Sequence, residues 1–278
     1  MQPYLKYLPL FQASKSISPL SMADIFKCAA LFFMLMDHIG HFFLPDQHIW
    51  RVVGRWCVPI WFFYAGFYAG KKPDIRLIYY GLFLTLWKLL FYQAFFPLNI
   101  LFLFYLLKTI FYRYGQRLVN EQQPNEAMFI GLALLGLPSM FLLEYGTQGL
   151  LFFMAGVMAK QGIKHDKQIA WAICSGIIYA AIQQFASGYS VAEKIFLLIG
   201  SLTLPFLMAA AHLPASPSLQ REEASSLAAI LKPENRLVRL LQFFARNTLD
   251  FYVVHLAIFI PAAFLLYPEK HAHFHWLQ

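Results

Sequence analysis

Apolar runs of a length that crosses a bilayer recur along almost the whole chain, broken only by short polar stretches, and this pattern constrains the fold more than any single motif. The runs fall approximately at 24–44, 49–70, 75–95, 98–113, 126–144, 146–160, 168–186, 193–212 and 247–267. Most approach the ~20 residues that span hydrocarbon, so about nine spans are predicted, with eight or ten as neighbouring counts. Run 146–160 is short and contains glycine, which suggests a broken or re-entrant helix. Pro59, Pro138, Pro205 and Pro261 lie inside apolar runs and predict kinks. Composition agrees: 59% of residues are hydrophobic and only 13% charged, against roughly one charged residue in four for an ordinary globular domain. The expected fold class is all-α, a polytopic transmembrane helical bundle. It forms one membrane domain at 21–267, with a weakly structured extension at 1–20 and a histidine-containing tail at 268–278.

The distribution of charge sets an orientation. The formal charge of +8 is not gathered on a polar module with interleaved aromatics, which argues against nucleic acid as a partner. Instead Lys71 and Lys72, Arg113 and Arg117, Lys160, Lys164 and Lys167, and Arg221, Lys232, Arg236 and Arg239 follow every second span. With Lys6 and Lys15 before the first span, this alternation puts the N-terminus in the cytoplasm and the C-terminus outside. Residues 213–246 form a cytoplasmic linker and a helix with Arg236, Arg239 and Arg246 beside Leu237, Leu240, Leu241 and Phe244. Such a helix either lies on anionic lipid or holds substrate phosphates. The start lacks the pattern of a cleavable leader, so the first run is expected to stay as a helix. A cap near Ser21-Met22-Ala23-Asp24 raises Met22 as a second possible start of translation.

Ionisable groups inside lipid are costly and mark functional sites. The first run contains Lys27, Asp37 and His38. Lys27 and His38 are eleven residues apart, close to three helical turns and therefore on one face, about 16 Å apart along the axis. The stripe Asp24, Lys27, Leu31, Met34, His38, His41 predicts a face turned to a cavity or to other helices. Asp37 points about 100° away from His38 and needs another partner. Counting back from the turn at Pro45-Asp46-Gln47 puts Asp37 about 12 Å and Arg55 about 9 Å deep. An ion pair between them is expected, bracing the helix beside His38. Arg51, nearer the surface, is read as snorkelling.

The last run supplies Asp250 and His255. Counted from the cytoplasmic entrance, His255 is about 12 Å inside and thus shallower than His38, which is about 21 Å beyond Asp24. His255 either lines a substrate path or packs helices. Glu144 is read at an outer turn, either meeting a substrate or solvated. Cys28, Cys57 and Cys174 lack metal-like spacing, and no metal is expected. His271, His273 and His275 are read as a solvated tail, although their alternation also suits a metal. There is no HExxH, nucleophile elbow, P-loop or dinucleotide fingerprint.

Asp24-x-x-Lys27 leading to Met36-Asp37-His38-Ile39-Gly40, then Arg51-Val52-Val53-Gly54-Arg55-Trp56-Cys57-Val58-Pro59, resembles the TraX family of bacterial membrane proteins, whose namesake acetylates the N-terminus of conjugative pilin. Phe251-Tyr252-Val253-Val254-His255-Leu256 and Glu144-Tyr145-Gly146 are similar to the family's last and central motifs. Lys27-x10-His38 also resembles the Arg/Lys-x10-His motif of wider membrane-bound acyltransferases. The resemblance implies an inner-membrane acetyltransferase that takes acetyl from cytoplasmic acetyl-CoA and passes it to a pilin amine or an envelope glycan. Catalytic roles then fall to His38, Asp37 and His255, and donor binding to Lys27, Arg55 and Asp250. His38 acts as a general base or carries the acetyl group itself. Two rival readings stand beside this one: a proton-coupled transporter using His38, Asp37 and His255, and a scaffold for pilus or envelope assembly.

Overall fold

The first helix begins where its cap is satisfied. Ser21 Oγ accepts from the Asp24 backbone N–H at 3.1 Å, and the Asp24 carboxylate accepts from the Ser21 N–H at 3.1 Å, a reciprocal capping box. The computed structural model describes residues 20–70, 74–92, 95–113, 126–161, 165–186, 188–211 and 235–268. Lys6, Lys15, Lys71, Lys72, Arg117, Lys164, Arg221, Lys232, His271, His273 and His275 lie outside the described residues. The chain order is α1 (Met22–Phe42), α2 (His48–Gly54), α3 (Cys57–Phe67), α4 (Arg76–Tyr92) and α5 (Ile100–Leu106), which runs on through a π-helical turn at Leu107–Phe111. It continues with α6 (Glu126–Leu134), α7 (Gly136–Met140), α8 (Gly146–Gln161), α9 (His165–Ala186), α10 (Val191–Ala211), α11 (Arg236–Arg246) and α12 (Thr248–Leu266). Among the described residues the regular elements are all helices, and an isolated bridge joins Leu98 to Leu143.

Among the described residues two helices, α10 and α12, are long and apolar enough to cross a membrane, with mean hydropathies of 1.9 and 2.0. The apolar outer surface points the same way. Leu82, Leu86 and Leu90 on α4, Ile195 and Ile199 on α10, and Ile258 and Leu265 on α12 are all exposed. A water-soluble monomer rarely presents so much aliphatic surface, whereas lipid accepts it without penalty.

The core is the crossing of α3 with α8. Phe62 and Phe63 on α3 and Phe152 and Phe153 on α8 are all fully buried. Gly66 and Gly156 allow the two backbones to touch: a Cβ on Gly66 would collide with the Phe153 carbonyl, and one on Gly156 with the Phe63 carbonyl. Run 146–160 is therefore not broken. It forms the uninterrupted α8, and its glycines serve close packing instead of flexibility.

The break falls in the second run. Pro59 has no N–H to give the Arg55 carbonyl four residues back, so the helix stops and restarts at Arg55-Trp56. That carbonyl accepts instead from the Tyr179 hydroxyl at 3.1 Å and the Val58 N–H at 3.2 Å. Pro138 likewise sits in the first turn of the short α7, whereas Pro205 and Pro261 lie within continuous helices. Of the four prolines, two thus mark breaks.

The helix α11 packs against α1, with the Cys28 thiol donating to the Leu241 carbonyl at 3.0 Å. Its Val238, Gln242 and Ala245 are buried, while Leu237, Leu240, Arg236 and Arg239 face outward. The chain then turns at Asn247 and enters α12.

Candidate functional site

The stripe on α1 faces inward. Asp24, Lys27, Met34 and His38 line a cavity of about 830 Å³, and His38 and His41 also line a second one of about 110 Å³. The lining of the larger includes Lys27, Arg76, Lys108 and Arg246. The smaller lies among Arg51, Arg55, Lys88 and Pro97. Asp37, His38, Glu144, Tyr145 and Tyr252 line both, so the two cavities meet at these side chains. A volume near 800 Å³ is in the range that holds an extended small-molecule ligand.

The two histidines come together. His38 Nδ1 is hydrogen-bonded to His255 Nε2 at 2.5 Å, and His255 Nδ1 lies 2.7 Å from the Phe251 carbonyl. This corrects the expectation that His255 lies shallower than His38. That expectation assumed that α1 and α12 start at the same level, but α11 seats against Cys28, well inside the start of α1. His255 lies seven residues into α12, about 10 Å, and so reaches His38 from a start that is already deep.

The pair has a direction. A carbonyl oxygen only accepts, so His255 Nδ1 carries the proton donated to Phe251. In the neutral ring Nε2 is then the acceptor, and His38 Nδ1–H must donate to it. That leaves the lone pair of His38 on Nε2, on a ring that borders both cavities.

The other side of α1 holds the expected ion pair. Arg55 Nε lies 3.3 Å from Asp37 Oδ1, with both side chains largely buried. Gly54 makes this possible, because a Cβ there would collide with the Asp37 backbone. Arg55 also donates to Gln183 Oε1 at 2.8 Å and lies 5.6 Å from the centre of the Tyr145 ring. It thus lines the smaller cavity, whereas Lys27, with which it was grouped for donor binding, lines the larger. Arg51 likewise lines that cavity.

Asp250 is buried beside the large cavity without lining it. It accepts from Tyr80 at 2.9 Å and pairs with Arg76 at 3.4 Å, while Asp74 holds the same guanidinium at 2.7 Å. Its place is behind Arg76, a residue the sequence reading missed. Lys27 lines the larger cavity, with its ammonium 4.5 Å from the centre of the Tyr68 ring. Glu144 is not solvated at an outer turn. Its carboxylate accepts from the Ile100 N–H at 3.0 Å and reaches both cavities. The following Tyr145 has φ of 64°, a left-handed conformation rare for a bulky side chain and often found where a site requires it.

Sequence reading also overlooked Lys88, Asn99 and Gln183. Lys88 carried a usable signal: it lies in the apolar stretch Leu86-Trp87-Lys88-Leu89, and the rule that singled out His38 applies to it equally.

Comparison with known proteins agrees in extent with this arrangement. The family model described as TraX protein matches residues 22–261. A Rickettsia prowazekii (strain Madrid E) protein described as uncharacterized protein RP591 is 28% identical over 159 residues, which are 57% of this chain and 62% of that protein. The chain thus spans a little under two thirds of the length of that relative. No solved structure matches.

Proposed function

The chain belongs to the TraX family, and from that premise we propose that it is a membrane-embedded acetyltransferase. It moves acetyl from acetyl-CoA to an amine or hydroxyl acceptor, a pilin N-terminus or an envelope glycan. It acts in the bacterial inner membrane as a multi-pass bundle with its Lys27 end toward the cytoplasm. The observation that carries this reading is the position of His38 where the two cavities meet, with its bare Nε2 set by the hydrogen bonds through His255 to Phe251.

The donor enters the larger cavity, its nucleotide end among Lys27, Arg76, Lys108 and Arg246 and its thioester near His38. Cations at that mouth favour a phosphorylated carrier. The acceptor reaches His38 from the smaller cavity. Nε2 takes the acceptor's proton as its nitrogen or oxygen forms a bond to the acetyl carbon. The tetrahedral adduct reforms its carbonyl, the carbon–sulfur bond breaks, and the departing thiolate takes the proton back from Nε2. His255 is a positioning residue: it holds His38 in the tautomer that keeps Nε2 free, and hydrogen-bonds the ring that becomes cationic. The Asp37–Arg55 pair fixes α1 behind it.

The test is transfer of labelled acetyl from acetyl-CoA by the purified protein in lipid nanodiscs, with pilin N-terminal peptides and envelope glycans as acceptors. Label should appear on an acceptor and be lost in His38→Ala; equal turnover by the two proteins overturns the assignment. Paired histidines between two cavities also suit a proton-coupled transporter. In that case proteoliposomes would carry a proton flux sensitive to His38→Ala without consuming acetyl-CoA.

A further inference from the structure

Tyr252 precedes His255 by one turn of α12 and borders both cavities. Its ring centre lies 6.1 Å from that of His38 and 5.7 Å from that of His255. Its hydroxyl is oriented from the start of another helix. Asn99 is the N-cap of α5, and its Oδ1 accepts from the Leu101 N–H at 3.0 Å. This capping bond decides which end of the amide is oxygen, so the other end is the NH2 group. That nitrogen lies 3.0 Å from Tyr252 Oη. An amide NH2 only donates, so the Tyr252 oxygen accepts and its own proton turns away from Asn99.

The arrangement therefore presents an O–H donor and a bare imidazole nitrogen at the place where both cavities open. We propose that Tyr252 is a catalytic residue, the hydrogen-bond donor to the oxygen that gains charge as the thioester carbonyl is attacked, and that Asn99 is the positioning residue that aims it. This assignment rests on the acetyltransferase reading above. As the acceptor atom bonds to the acetyl carbon, the carbonyl π electrons move to oxygen, and Tyr252 O–H stabilises that oxyanion without giving up its proton. When the carbonyl reforms and the carbon–sulfur bond breaks, the hydrogen bond weakens again. A donor oriented in advance in a dry site acts mainly on the transition state, so its effect falls on kcat and not on KM.

Steady-state kinetics with acetyl-CoA test this on the full chain in nanodiscs, with a thermal unfolding midpoint for each variant. Tyr252→Phe keeps the ring and removes the hydroxyl; kcat is expected to fall about 10²- to 10³-fold with an unchanged KM for acetyl-CoA. Asn99→Asp keeps the capping oxygen but replaces the NH2 with an acceptor that draws the Tyr252 proton away from the cavities. It should lower kcat in the same way, by about tenfold, and it decides the matter if Tyr252→Phe does not fold. A folded Tyr252→Phe with kcat within about threefold of the parent, or with a change confined to KM, overturns the assignment. If His38→Ala is inactive while Tyr252→Phe is fully active, only the role of Tyr252 falls. If the parent protein transfers no acetyl, the enzymatic reading falls and takes this one with it.

Discussion

The two cavities differ in size and in the side chains that line them while sharing the residues between them. The larger, about 830 Å³, is lined by Trp61, Tyr64, Leu77 and Phe104 together with Lys27, Arg76, Lys108 and Arg246 and the carboxylates Asp24 and Asp74. The smaller, about 110 Å³, is lined by Arg55, Lys88, Asn99 and Gln183 together with Leu84, Met140 and Ile260. The larger volume, with Lys27, Arg76, Lys108 and Arg246 in its wall, suits a flexible carrier with a phosphorylated head. The smaller volume suits one small group. The difference singles out what lies between them, α1 with its Asp37–Arg55 brace and His38–His255 pair, as the element to perturb.

The strongest way to break the comparison is to disrupt the partition. Asp37→Ala leaves Arg55 buried without its carboxylate and should cost about 3–5 kcal/mol of stability, read as a large drop in the unfolding midpoint in lipid. Replacing both residues by leucine should recover much of that stability, since burying a lone charge is what costs. A variant Asp37→Ala as stable as the parent would mean that Arg55 does not depend on the pair.

Filling one cavity at a time sharpens the distinction. Leu249→Trp narrows the larger cavity and should raise the KM for acetyl-CoA about tenfold while sparing the acceptor's KM. Thr85→Phe narrows the smaller one and should do the reverse by a similar factor. If each filling raised both constants equally, the two cavities would be one binding space. Neutralising the rim has the smallest expected effect. Lys27→Gln should raise the KM for acetyl-CoA about threefold at low salt, and the difference should shrink as ionic strength screens the remaining charges.

Much of the partition was legible in the sequence where the parts are close in the chain. Asp37 and Arg55 flank one hairpin turn, so helical rise alone puts them at similar depth, and the pair forms at 3.3 Å. Lys27 and His38 share a helix, so their common face follows from periodicity. His38 and His255 are 217 residues apart, and their depth could not be counted from helix ends. It depends on where α11 docks, which packing decides. Asn99 and Tyr252 were illegible for a related reason. Neither residue type is costly enough in lipid to draw attention, and their significance lies in a hydrogen bond between α12 and the cap of α5.

The sequence by itself determined the all-helical class, the inward stripe on α1 and the family, because hydrophobic period and charge placement are local properties that act before any helix meets another. Only the tertiary structure decided which nitrogen of His38 is bare, where the two cavities meet and which groups surround that point. Those features require helices distant in the chain to seat against one another, and their register is set by side-chain shape and hydrogen bonding at the contact.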